Sequence, residues 1–501
     1  MDFSGYVTEN AIPLATLDPG APFDDLEPLA ARLASARVIA IGENAHLVSE
    51  FYLLRHRLQR FLTERLGFTV YAMESGFSEG QTVDAWVRGD LPAGELQTVA
   101  ETGITYNMGK CAEMRNHLTS MRNGHQPVRF VGLDVPGSTS SPLPTLDRLR
   151  SYLQVADPEA APLVDRLTTL ASRYAGEHSL PAYTAYHGMP AADRDQLTAT
   201  YAELSTRLDA LQPVYQAAPA LTGNPATLAS DDAPTTAAPS ADPAAAVPSA
   251  DPGTAAPGAD PATAVPSDGQ ATPASPAAAG HPGVGHLAAG TYPAADGYPV
   301  ARHELRLAVL LDQAMRGFAA QMTPGDTAPI VHPKVAPRDR GIAETVLWAL
   351  EHLGPDTKII VAAHNNHIQR IPVHTPAFPL SAAGHHLASR FGSSYIAIGV
   401  TCTSGRTVTR RPDSTAPSGV AIIGTDLEAP DPNSIEALMP DRLCALDLRP
   451  ARAAAITPSP DRIRILDRYQ QSEVVNAYDL VINIPSVTPT AQVSTAQVST
   501  A

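Results

Sequence analysis

A carboxylate and an imidazole, Glu43 and His46, follow an apolar run in the stretch VIAIGENAHLVSEF (38–51). A histidine beside a carboxylate can act as a general base on water, because its unperturbed pKa lies near neutrality. The carboxylate orients one ring nitrogen and favours the imidazolium as it forms. Three further polar positions share this setting. Glu74 ends the run FTVYAMES, Asp134 ends VRFVGLD, and His364, Asn365, Asn366 and His367 follow KIIVAA. His364 or His367 could donate to an oxyanion or protonate a leaving alcohol.

Each residue taken alone has a structural alternative. Glu43 could complement a helix N-terminus, with Asn44 as the cap. Glu74 could form an ion pair with Arg55, and HNNH could be a turn of side-chain to backbone bonds. Their shared placement argues for one site. In an open parallel sheet the carboxyl ends of the strands lie on one rim, and ligands bind there.

Other chemistries lack their signatures. There is no G-x-S-x-G elbow and no glycine-rich phosphate loop, so neither a serine hydrolase nor a nucleotide cofactor is indicated. Cys111, Cys402 and Cys444 are far apart, which reads as buried thiols in a reducing compartment. A metal is the rival reading. The imidazoles with Glu43, Glu74 and Asp134 are plausible ligands for zinc or manganese. Neither HExxH nor CxxC is present, and the reading adopted is a site with no metal and no cofactor.

The elements that must carry these residues alternate. RVIAIGE, FTVYAMES, VRFVGLD, TKIIVAA and SYIAIGVTC read as strands. SEFYLLRHRLQRFLTERLG, RDRGIAETVLWALEHLG and LSAAGHHLASRFG read as helices. Such alternation predicts an α/β fold with a mostly parallel sheet and crossover helices. Residues 1–135 form the first part of that domain and 136–217 a helical cap region. The segment 218–299, nearly all Ala, Pro, Ser, Thr, Gly and Asp, reads as a disordered insertion, because it has too little apolar surface to offset its chain entropy. Residues 300–488 complete the domain, and 489–501, with its TAQVSTAQVSTA repeat, reads as a disordered tail.

The chain has 501 residues and a formal net charge of -16, which argues against binding nucleic acid. No signal peptide and no run of about eighteen apolar residues is visible. The expectation is a cytoplasmic protein with a small-molecule partner, no membrane partner and an open oligomeric state.

The motifs resemble those of the erythromycin esterase family. GENAHLVSEFYLLRHRLQRFLTERLGFTVYAMES is similar to its opening motif, in which a strand ends in G-E-x-x-H, a helix carries an arginine and a strand ends in Glu. HPKVAPRDRGIAETVLWAL and IIVAAHNNHIQR resemble two later motifs, and VGLDVPG, AAGHHLASRFGSSYIAIGVT and YDLVINIPSVTPT fit the remaining pattern. The resemblance implies that His46 activates water, that Glu43 and Glu74 orient and charge-balance the site, and that His364 and His367 are its second pair of histidines. Arg55 matches a site arginine. Arg55, Asp134, Asn365 and Arg338 are candidate substrate contacts, with His332 and Asp339 as weaker matches. Leu47 stands where many members have Gly, which puts the shape of the cleft in question. The implied activity is hydrolysis of a carboxylic ester or macrolactone. Acyl transfer or cyclisation in the same cleft and non-catalytic ligand binding are the alternatives.

Overall fold

The computed structural model describes residues 2–210, 212–213, 297–322, 336–374, 379–416 and 419–494. Its strands are β1 (Ile12–Pro13), β2 (Val38–Ile41), β3 (Val70–Gly76), β4 (Arg129–Asp134), β5 (Ile359–Ala362), β6 (Tyr395–Pro412), β7 (Val420–Asp426), β8 (Cys444–Asp447), β9 (Arg462–Ile465), β10 (Arg468–Gln471) and β11 (Leu480–Val487). The main sheet runs β1-β8-β11-β6-β2-β5-β3-β4, with β7 paired to β6. From β11 to β4 every neighbouring pair is parallel, and antiparallel pairing is left to β1, β7 and β8. This is the mostly parallel α/β architecture that the strand and helix periods predict.

The run VIAI shows why both faces of the sheet are covered. All four residues are buried, because alternate side chains leave a strand on opposite faces. Val38 and Ala40 join one core with Ala72, Val361 and the helices Leu143–Ala156, Gly297–Met322 and Pro337–His352. Ile39 and Ile41 join the other with Tyr71, Ile360 and the helices Ser49–Leu66 and Ala112–Asn123. The helix Ser49–Leu66 buries Phe51, Leu54, Leu58, Phe61 and Leu62, an i, i+3, i+4 stripe, against the sheet. Gly67 ends it at φ 71°, in the left-handed region that glycine enters freely, and its N–H donates to the carbonyls of Leu62 and Thr63.

The region expected to be helical holds Leu143–Ala156, Ala161–Ala171, Ser179–Gly188 and Ala191–Ala210, and no strand among its described residues. These helices share the first core with Gly297–Met322. The expected insertion at 218–299 lies outside the described residues, apart from 297–299, which already belong to that helix. His332 also lies outside them. Of the expected tail, Pro489 pairs with Val48 and Ala491–Ser494 form a short helix, and 495–501 lie outside the described residues.

Two two-stranded ribbons complete the picture near the site. Beyond Gly405, β6 leaves β11 and runs on with β7, carrying Arg410 and Arg411. β9 and β10 pair as a hairpin whose turn residue Leu466 adopts φ 57°. The Leu466 N–H donates to the Asn44 carbonyl at 2.8 Å, which fastens the hairpin tip to the corner after β2. Among the described residues no helix is long and apolar enough to cross a membrane.

Candidate active site

Four adjacent strands, in the order β2-β5-β3-β4, end on one rim. They deliver Glu43 and His46, His364 and His367, Glu74 and Asp134 respectively. Segments remote in sequence therefore meet in a single place.

The corner after β2 is tight. A Cβ on Gly42 would sit 1.9 Å from the Asn365 amide oxygen, so the close approach of the two strand ends requires glycine there. His46 Nδ1 lies 2.5 Å from Glu43 Oε1. A carboxylate accepts only, so Nδ1 carries the proton, and in the neutral ring Nε2 is the nitrogen with the free lone pair. That Nε2 lies 3.7 Å from Glu74 Oε1. Burial pushes the Glu43 carboxyl up, but the Arg55 guanidinium and His46 more than offset this and hold it below the usual range. Leu47 follows at φ 61°, buried, in the left-handed conformation that suits the glycine of many family members.

Glu74 is the hub. Its Oε1 accepts from Arg338 Nη2 at 2.8 Å and lies 3.3 Å from His367 Nε2, while its Oε2 accepts from the His364 backbone N–H at 2.6 Å. Burial would raise its carboxyl, yet His367, His46 and Arg338 together hold it well below the usual range. Arg338, in the first turn of Pro337–His352, also grips Asp134 through Nε at 3.0 Å and Nη2 at 2.6 Å. Pro337 suits that first turn, where its missing N–H costs no hydrogen bond.

The two histidines after β5 have opposite characters. His364 Nε2 donates to the Asn44 carbonyl at 2.9 Å, and its Nδ1 accepts from the Asn366 N–H at 3.3 Å. Both nitrogens are spent on backbone. Burial, then the proximity of His46, push it down to about 4, so the ring is neutral. His367 is held by Asp339 at 2.8 Å through Nδ1 and by Glu74 through Nε2. Burial opposes its charge, but Asp339 and Glu74 outweigh this and push it up to about 10, so the ring is an imidazolium.

Three expected substrate contacts do not reach the cleft. Asn365 is fully buried, and its amide is committed to both the N–H and the carbonyl of Val400 at 3.1 and 2.8 Å. Arg55 lies behind Glu43, with Nη1 2.9 Å from Oε2 and Nη2 on the carbonyls of Ile41 and Ala363. It pairs with Glu43 and not, as its sequence position also allowed, with Glu74. Asp134 is enclosed beneath Arg338. Arg338 alone of the four keeps part of its side chain exposed, at 22%.

Asp339, a weaker match in the sequence, takes its place through His367. The sequence carries little signal for one other participant. Tyr106 stacks on His46 with ring centroids 5.9 Å apart and planes at 17°, and it donates to the Ser138 carbonyl at 2.6 Å. It comes from a loop with φ 57°, where no periodic pattern marks it. His364, His367 and Asp339 open onto a cleft of about 1100 Å³, walled by the β6–β7 ribbon and the β9–β10 hairpin. A volume of this order suits a drug-sized ligand or larger.

The geometry can be set beside known proteins. Over 446 residues the chain is 25% identical to an erythromycin esterase type II of Escherichia coli, covering 87% of this chain and 85% of that one. It is 28% identical over 194 residues to an Escherichia coli erythromycin esterase type I, covering 38% of this chain and 47% of that one. A solved structure of an erythromycin esterase mutant in its open conformation superposes with a TM-score of 0.68, covering 95% of this chain and 97% of that one at 21% identity. A succinoglycan biosynthesis protein gives 0.62 over 97% of both chains at 16% identity. These two likenesses establish the fold. A model of the erythromycin esterase family matches residues 63–243 and 280–487. The corner with Glu43 and His46 precedes that match, and the geometry joins it to the rest. Because the matched stretches span well over half of the sequence, the chain belongs to the erythromycin esterase family.

Proposed function

We propose that the protein hydrolyses a carboxylic ester or macrolactone by water activated at His46. The observation that carries this reading is the Glu43–His46 pair, which engages Nδ1 and turns Nε2 towards Glu74 across a gap of 3.7 Å. Water bound beside Nε2 gives up a proton to it as its oxygen bonds to the ester carbonyl carbon. The resulting oxyanion forms beside fixed positive charge, namely imidazolium His367 and Arg338. As the tetrahedral intermediate collapses, the carbon–oxygen bond to the alcohol breaks. The imidazolium of His46 then returns its proton to the leaving alkoxide. Glu43 holds the ring and offsets its transient charge, and Arg55 keeps Glu43 ionised. The names of the curated relatives support an ester substrate.

Incubation of candidate macrolides and simple esters in ¹⁸O-labelled water tests the reading. One labelled oxygen is expected in the released carboxylate, and the reaction is expected to fall by about 10²–10⁴-fold in His46→Ala. Near-full turnover in that variant would overturn the role of His46. A product lacking label would point to acyl transfer or cyclisation.

A further inference from the structure

We propose that the outer part of the cleft selects esters bearing a free carboxylate away from the scissile bond, and that Arg410 is the residue that reads it. This inference rests on the hydrolytic reading above. Arg410 and Arg411 lie on the β6–β7 ribbon and line the same cavity as His364 and His367. No carboxylate among the described residues lies within ion-pair reach of either arginine. Arg410 is half-buried, and its guanidinium lies 4.8 Å from the centre of the Tyr106 ring. That ring in turn stacks on His46. A single aromatic side chain thus connects an unneutralised guanidinium to the proposed base.

The surroundings strengthen the contrast. Arg55 and Arg338, by contrast, each hold a carboxylate at 2.9 Å or less. On the opposite wall Arg468 has only Asp467, at 3.8 Å. The other acid of the lining, Asp339, is taken by His367 and by the Ala383 N–H. The lining is therefore locally positive in a chain whose formal charge is -16. A cationic substrate gains nothing from such a wall, whereas a carboxylate matches the planar fork of a guanidinium bidentately. The flat face of Tyr106 holds Arg410 in place, which reduces the ordering cost of that recognition.

The test compares monomethyl suberate with its terminal amide, two esters that differ in the remote carboxylate. At pH 7 the charged ester is expected to have the higher kcat/KM, by about tenfold, expressed mainly in KM. Arg410→Gln should bring the ratio of the two towards one, and rising ionic strength should shrink it in the wild type. Equal values in the wild type, or a preference that survives Arg410→Gln, overturns the inference and leaves hydrolysis standing. If neither ester is cleaved, hydrolysis of simple esters fails separately, and calorimetric titration of suberate decides the inference. Binding weakened about tenfold by Arg410→Gln supports it, and unchanged or absent binding overturns it.

Discussion

Arg55 stands directly behind Glu43, Nη1 to Oε2 at 2.9 Å, and solvent reaches neither side chain appreciably. The pair sits one step back from His46, the proposed base. It fixes the charge of the carboxylate that His46 leans on, while the two guanidinium contacts to Ile41 and Ala363 tie it to β2 and the end of β5.

Removing one charge of this pair should cost more than removing both. Glu43→Gln leaves a buried guanidinium without its counter-charge and is expected to destabilise the fold by about 3–5 kcal/mol. Adding Arg55→Met should restore most of that loss without restoring turnover, which stays down by about 10²-fold or more. Urea unfolding and kcat/KM on the single and double variants separate the two effects. A double variant no more stable than Glu43→Gln would show that the charge is not the cause.

The His367–Asp339 pair sets an alkaline limb in stability. Its folded pKa, about 10, is raised above the unfolded value of about 6.5, so its contribution is complete below that unfolded value and is lost as pH rises towards 10. His364, pushed down to about 4 when folded, acts in the opposite sense: the folded state binds fewer protons between about 4 and 6.5, and stability rises with pH there. Glu43 and Glu74, both lowered, add stability that is lost as pH falls below the ordinary carboxylate range. The melting temperature is expected to peak near neutral pH. Asp339→Asn should flatten the alkaline limb, and an unaltered limb in calorimetric melts would refute the assignment.

Position 47 should reverse the usual order of alanine and glycine. Leu47 is buried at φ 61°, a conformation that costs a side-chain-bearing residue about 1–2 kcal/mol. Leu47→Ala loses the packing and keeps that cost, whereas Leu47→Gly loses the packing and sheds it. Both are expected to destabilise, with Leu47→Gly the more stable of the two by about 1 kcal/mol. Denaturant midpoints on the two variants decide the order.

Asn365→Ala should act on stability through Val400. Both Val400 backbone groups lose their side-chain partner in a buried setting. The expected loss is about 2–5 kcal/mol, with any fall in activity following the loss of folded protein. A variant of native stability with a raised KM would instead return Asn365 to the substrate.

The corners of the site were legible because each is a polar residue ending an apolar run, and parallel strands send such ends to one rim. Their partners were not. Whether Arg55 meets Glu43 or Glu74 depends on which face of the helix Ser49–Leu66 turns to which strand end, and sequence spacing allows both. Asn365 looked like a ligand because it stands between two histidines, yet a turn sends neighbouring side chains in different directions, and this one turns inward to β6. Tyr106 reaches the site from a loop, where neither the period of 2.0 nor that of 3.6 applies, and Arg410 from the extension of β6 past β11, where the strand period does not tell which cavity a side chain lines. β1, a two-residue edge strand, and β8, four residues beside it, escaped because such short runs leave little pattern.

The position of β5 has a consequence for synthesis of the chain. It fills the gap between β2 and β3, yet it leaves the ribosome only after everything between Gly76 and Ile359. At roughly 5–20 residues per second, the facing edges of β2 and β3 stay unpaired for tens of seconds. Until then Glu74 lacks His367, and the facing edges of β2 and β3 offer unpaired backbone groups to any neighbour that can add a strand.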